Sequence, residues 1–175
     1  MPVINTTQDG YGKVEIGSLS NTTYTAVAPT TTAPTTNLVY QDNVADNPNL
    51  IHITPYTSQS SGTPGFRLVG WRKYWQTATS NFLYVPTVLA DFSPTFTTGT
   101  VPTGTVDGTS RNFFSGVTQN AGQPTALVFS PASLSISSTE LASVVVDAIG
   151  SQLVTVDFKV STGSGVTMGI LWAIL

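Results

Sequence analysis

The last two dozen residues constrain the fold most. From Leu153 to Lys159 the chain alternates, Val154, Val156, Phe158 and Val160 pointing one way and Thr155, Asp157 and Lys159 the other, which is the period of a half-buried strand. After the turn Ser161-Thr-Gly-Ser-Gly165 the chain runs Val166-Thr-Met-Gly-Ile-Leu-Trp-Ala-Ile-Leu175, and its late positions are apolar on both faces. A strand greasy on both sides must be covered twice, once by the protein's own core and once by a second sheet or a neighbouring subunit.

The 175 residues suffice for one sandwich or barrel and are too few for two comfortable domains. Charged residues make up 9% of the chain against about 25% in ordinary soluble domains, while Thr and Ser together supply about a quarter. Disorder does not explain the deficit, because 3 Trp, 6 Tyr and 8 Phe are present and disordered chains are poor in aromatics. A surface of Thr, Ser, Asn and Gln loses little when packed against protein, since few charges are desolvated. Composition therefore points to assembly.

A net charge of −3 argues against a nucleic-acid partner. Four of the six basic residues, Arg67, Arg72, Lys73 and Arg111, fall mid-chain and read as a solvated or inter-subunit face. The absence of cysteine excludes a disulfide scaffold and thiolate chemistry. The opening Met-Pro-Val-Ile-Asn lacks the features of a secretory signal, and no apolar run is long enough for a membrane helix. The expectation is a chain made in the cytoplasm, used without export through the secretory channel, and bound to no membrane.

Residues 1–37 read as an extended Thr/Pro-rich arm around Pro29 and Pro34, with short β patches at 13–16 and 24–27. Residues 38–175 read as the body. Strands are expected at 37–40, 50–54, 65–75, 82–85, 88–92, 125–129, 132–136, 144–146, 153–159 and from Val166 onward, with a hairpin joining Trp75 to Phe82 across residues 76–81. Residues 93–124, rich in Pro and Gly, read as a long loop or a series of turns, and one helical turn is expected from Ser137 or Ser138 towards Ala142. The spacing predicts an all-β fold, an antiparallel β-sandwich of jelly-roll kind.

No residue pattern carries catalysis. His52 is the only histidine and has no zinc-ligand spacing around it, so it reads as a structural strand residue. No Gly-x-Ser-x-Gly is present, and the nine acids are scattered rather than paired for glycoside hydrolysis. Asp42, Asn43, Asp46 and Asn47 are dense in oxygen but lack the EF-hand pattern, and a plain turn is the expectation. No catalytic residue, metal ligand or cofactor is assigned. Trp71, Tyr74 and Trp75 beside Arg72 would serve as partner anchors or, as the alternative, as a sugar-stacking platform.

Three segments, Gly65-Phe-Arg-Leu-Val-Gly-Trp-Arg-Lys-Tyr74, Val146-Asp-Ala-Ile-Gly-Ser-Gln-Leu-Val-Thr-Val-Asp-Phe158 and Gly169-Ile-Leu-Trp-Ala-Ile-Leu175, resemble small β-sandwich structural proteins of tailed bacteriophages, capsid decoration or cement proteins in particular. The likeness covers the C-terminal two-thirds and is one of style, without a diagnostic motif. It implies a virion component on the capsid exterior that binds the major capsid protein as a homo-oligomer, a trimer by analogy, and clamps the lattice with arms or loops. The clamps would be the Thr/Pro arm, with Val27, Pro29 and Pro34, and the loop near residues 93–124, with Phe113 and Phe114. Trp71, Arg72, Tyr74, Trp75 and the terminal Trp172 would join them as partner contacts. The alternative is a receptor- or glycan-binding module of a phage fibre or adhesin.

Overall fold

The alternation of residues 153–160 becomes an interior strand of one sheet. The computed structural model describes residues 10–41, 50–96, 101–120, 127–129, 141–148 and 150–175. In chain order the described strands are β1 (Tyr11–Leu19), β2 (Leu38–Gln41), β3 (Leu50–Thr57), β4 (Gly65–Gln76), β5 (Asn81–Thr95), β6 (Thr103–Val106), β7 (Thr109–Phe113), β8 (Gly116–Gln119), β9 (Leu127–Phe129), β10 (Ser143–Asp147), β11 (Leu153–Lys159) and β12 (Val166–Ile174). One antiparallel sheet runs β1-β12-β3-β10-β9, with β7 on the far part of β3 and β6 on β7; the other runs β2-β11-β4-β5-β8. The result is the all-β, jelly-roll-like sandwich expected from the sequence.

The layers meet over one core. Val14, Ile51, Ile53, Val144, Val146, Met168, Ile170 and Trp172 face Phe66, Leu68, Ala90, Phe92, Val154, Val156 and Phe158 across it. Full burial of such side chains stabilises the fold by about 1.5–3 kcal/mol each. Period-two alternation places their neighbours on the outer faces, and both outer faces are partly roofed by the chain itself.

The first roof corrects the expected loop at 93–124. β5 continues to Thr95, and β6, β7 and β8 follow, so of the two expected arrangements the series of turns is found rather than one long loop, with short strands between the turns that the sequence did not predict. Asp107 and Gly108 have φ of 46° and 75°, the two positive values of a type I′ hairpin turn, with Val106 opposite Thr109. This β6–β7 hairpin curls the sheet into a half-barrel. Val106 and Phe113 pack on Tyr56 and Leu171, Asp107 pairs with Lys13, and Arg111 Nε meets Glu15 Oε2 at 3.1 Å. The Tyr56 ring lies across Gly169, where any Cβ would collide with it. The second cover of β12 is thus this hairpin, which the sequence reading assigned to another sheet or subunit.

The second roof comes from residues 20–37. The patch at 13–16 lies inside β1, an edge strand whose Val14 enters the core, whereas residues 24–27 form no strand. From β1 the chain crosses the outer face of the β2-β11-β4-β5-β8 sheet as a strap. Val160 N–H donates to Asn21 O, Thr30 exchanges two backbone hydrogen bonds with Tyr84, and Val156 N–H donates to Asn37 O. Beneath it Leu38, Val69, Trp71 and Leu153 form a small second core, with Val27, Ala33 and Tyr84 against it. The Asx-rich segment 42–47, the strand at 132–136 and the residues of the helical turn up to Glu140 lie outside the described residues.

Candidate functional site

The most distinctive surface is where β4 and β5 outrun their sheet. β11 pairs with β4 only as far as Leu153 opposite Trp71, but β4 and β5 stay paired through five further rungs, from Arg72–Val85 to Gln76–Asn81. Residues 77–80 close the turn, with Ser80 at φ 47°. Five rungs make a two-stranded ribbon reaching about 17 Å beyond the pairing with β11. Such a ribbon is marginal alone. Here it continues two strands rooted in the core.

Its two faces follow from alternation. Lys73, Trp75, Phe82 and Tyr84 share one face; Arg72, Tyr74, Leu83 and Val85 share the other. Trp75 is 56% exposed, Tyr74 49% and Phe82 38%. The rings of Trp75 and Phe82 meet edge to face, 4.9 Å apart at 70°, and Lys73 Nζ stands 3.8 Å from the Phe82 centroid. Lys73 N–H donates to Gln152 Oε1 at 2.5 Å, closing the sheet edge where β11 stops. Phe82 N–H donates to Asn81 Oδ1 at 2.8 Å.

Among the described residues, charge elsewhere is met within the fold. Asp157 on β11, Arg67 on β4 and Asp91 on β5 stand in register as an acid-base-acid row. Arg67 Nη2 donates to Asp157 Oδ2 at 3.1 Å and to the Thr25 carbonyl at 2.6 Å, and Thr25 N–H donates to Asp157 Oδ2 at 2.7 Å. The Tyr24 hydroxyl donates to Asp91 Oδ1 at 2.8 Å, and Arg67 and Lys159 lie 4.5 and 4.6 Å from its ring centroid. Burial, reinforced by Asp91, pushes the Tyr24 phenol well above its ordinary range, so it stays a donor. Under the β6–β7 hairpin, burial opposes ionisation of Glu15, but the hydrogen bond and charge of Arg111, with Lys13 nearby, hold its carboxyl below the usual value. The same hydrogen bond raises the Arg111 pKa, and burial beside Glu15 raises that of Tyr56. Arg72 and Lys73 make no ion pair among the described residues.

The residues singled out from sequence separate accordingly. Arg72, Tyr74 and Trp75 come together on the ribbon, although Tyr74 projects from the face opposite Trp75. Trp71 does not join them. It is buried under the strap, its indole N–H donating to Thr155 Oγ1 at 2.9 Å. Phe113, Phe114 and Trp172 are also buried within the chain, Phe114 stacked on Phe96 and Trp172 laid over Gly12. Val27 is half-buried above Trp71, Pro34 is half-buried and Pro29 exposed. His52 lies half-buried on the outer face of β3, opposite Val145 and Ala173. Among the described residues no three His, Cys, Asp or Glu side chains group as metal ligands. Phe82 and Leu83 were missed, and Lys73 was noted only as part of a charged face. The expected hairpin already implied them, because pairing Trp75 with Phe82 makes each a cross-strand partner of a chosen residue. No protein-family model, curated protein or solved structure matches the chain.

Proposed function

We propose that the chain is a non-enzymatic structural component of a protein assembly, a virion protein of the capsid-decoration type that lies on the capsid exterior and holds the lattice together. The observation carrying this reading is the disposal of charge. Among the described residues Lys13, Glu15, Arg67, Asp107, Arg111 and Asp157 are spent on pairs within the fold, in a chain where Thr, Ser, Asn and Gln far outnumber charged residues. Packing such a chain against protein desolvates few charges, and modest contacts repeated over a lattice add up through high effective concentration. The likeness of residues 65–74, 146–158 and 169–175 to decoration proteins supplies the capsid as the setting. The strap is held on its own sheet, so lattice contact falls to the outer surfaces rather than to a loose arm.

The test is removal and add-back. Particles produced without this chain should lose stability to heating and regain it when purified chain is supplied. Unaltered particles that bind none of the added chain would overturn the reading. A receptor- or glycan-binding module is the second reading, favoured by the exposed indole of Trp75. Binding to a glycan array, lost in Trp75→Ala, would promote it.

A further inference from the structure

We infer that β1 pairs edge to edge with β1 of a second copy of this chain, antiparallel about a two-fold axis at Val14, so that two sheets become one. The inference rests on the assembly reading above and names one contact between copies. The terminal strands β2, β6, β8 and β9 of the described sheets are three or four residues long, as guarded edges are, whereas β1 has nine. Among the described residues β1 is flanked by a strand on one side alone, β12.

Ladder geometry decides which backbone groups face the other side. Ile174 N–H donates to Gly10 O and Tyr11 lies opposite Ala173, so by alternation Gly10, Gly12, Val14 and Ile16 turn N–H and C=O to β12. Lys13 and Glu15 turn theirs to the open edge, where no described residue meets them. An identical edge fits there because the strand is its own complement. Outward-facing residues must lie opposite one another, which leaves three central registers: Lys13 opposite Lys13, Glu15 opposite Glu15, or Lys13 opposite Glu15. The first two set like charges side by side, whereas the third sets opposite charges together at two rungs. Each charge keeps its partner within its own copy, Asp107 for Lys13 and Arg111 for Glu15, so no ion pair is broken. The row Asp107, Lys13, Glu15, Arg111 then alternates in sign across the axis.

Glycine placement selects the same register. In this sheet Gly12 lies under the ring of Trp172 and Gly169 under that of Tyr56, each the residue directly opposite. Gly17 has no ring over it within its own copy, and Thr167 Oγ1 at 3.7 Å is the nearest atom to where its Cβ would stand. With Lys13 opposite Glu15, Tyr11, 60% exposed, comes opposite Gly17 of the second copy and supplies the third ring. Pairing then spans Tyr11 to Gly17, the whole regular stretch before the register shift that follows Ile16. The contact is isologous, so it needs this edge and no other surface, and it closes at two copies.

Sedimentation velocity of the purified full-length chain across concentration, without any capsid, should show a monomer–dimer equilibrium. Lys13→Glu alone and Glu15→Lys alone each put like charges opposite one another and should weaken dimerisation about tenfold, yet an equimolar mixture of the two variants restores opposite charges at both rungs and should recover the association of the parent. Tyr11→Ala should weaken it about threefold. The chain has no cysteine, so Val14→Cys adds a single thiol on the axis, where facing Cα atoms of a non-hydrogen-bonded pair stand about 4.5 Å apart and a disulfide closes readily. Mild oxidation should link that variant into dimers and leave Lys13→Cys, two residues out of step with its own copy, unlinked. The thiol pair and Tyr11→Ala decide the matter if a charge reversal lowers the urea midpoint. A chain monomeric at every concentration, reversals without effect or without rescue in the mixture at an unchanged midpoint, or linkage at Lys13→Cys in preference to Val14→Cys would overturn the inference. Particle add-back is read separately, so a monomer that still stabilises depleted particles removes this contact and leaves the assembly reading standing.

Discussion

Trp71 and Trp75 stand four residues apart on the same face of the same strand, one 7% exposed and the other 56%. Strand geometry and residue type are common to both, so neither causes the difference. What differs is supply from elsewhere in the chain. Trp71 receives Thr155 from β11 and a roof from residues 27–33, whereas at Trp75 β11 has ended and the ring meets Phe82 edge to face. Burial of an aromatic on a strand is thus decided by segments distant in sequence, and a local pattern cannot separate a core anchor from a surface one.

The largest effect that sharpens this contrast comes from truncation at both sites. Trp71→Ala should cost about 3–5 kcal/mol in urea unfolding, because a sealed cavity is left under the strap. Trp75→Ala should cost about 1 kcal/mol or less, the worth of one edge-to-face pair. Equal costs would show that the ribbon is rooted as firmly as the body. Next in size is Arg67→Ala. It leaves Asp157 and Asp91 without the cation between them and releases the Thr25 carbonyl, for a loss of about 2–3 kcal/mol. Limited proteolysis should then cut first within residues 20–37 while the ribbon is unchanged.

Much of the fold was legible because period-two alternation is local. β3, β4, β10, β11 and β12 lie where runs such as Phe66, Leu68 and Val154, Val156, Phe158 put them, and the β4–β5 hairpin closes across residues 76–81 as expected. Two errors share one origin. Pro and Gly between 93 and 124 were weighed as breakers, although Asp107-Gly108 carries the hairpin signal itself, and Pro86, which separated two expected strands, lies inside β5. Tyr84 exchanges its backbone hydrogen bonds with Thr30 across the outer edge, so two residues on Pro86 also points its nitrogen away from β4, where no donor is needed. Of the site, Arg72, Tyr74 and Trp75 were named from the sequence and do come together on the ribbon, but their exposure was no more legible than the burial of the others. The burial of Trp71, Phe113, Phe114 and Trp172 was not legible, since their covers come from Thr155, Tyr56, Phe96 and Gly12, each far along the chain.

The two roofs should also part under acid. Glu15 has its pKa lowered in the folded chain, so its contribution is fully present above the ordinary carboxyl value of 4.5 and is lost as pH falls through the lower folded value. The protection of the β6 and β7 amides, their exchange rate taken relative to the intrinsic rate at each pH, should therefore fall on acidification below pH 4.5. Glu15→Gln should cost about 1 kcal/mol at neutral pH, the worth of a charge-assisted hydrogen bond in a half-buried site, and flatten that acid response. Exchange under the hairpin that ignores both acid and the substitution would show that the Tyr56, Val106, Phe113 and Leu171 cluster alone holds the roof.

The smallest effect is expected at the third tryptophan, and it isolates the hydrogen bond from the burial. Trp71 and Trp172 are equally exposed, at 7%, but Trp71 Nε1 has Thr155 Oγ1 as partner whereas Trp172 Nε1 is buried with none among the described residues. Phenylalanine removes the same indole volume at both sites. At Trp71 the substitution also strands a buried hydroxyl, for a total of about 2 kcal/mol. At Trp172 it deletes an unmatched donor, and this gain offsets most of the cavity, leaving a change of about 0.5 kcal/mol or less. Matching losses in the two phenylalanine variants would mean that the Thr155 bond contributes nothing, and that the strap seals Trp71 by apolar contact alone.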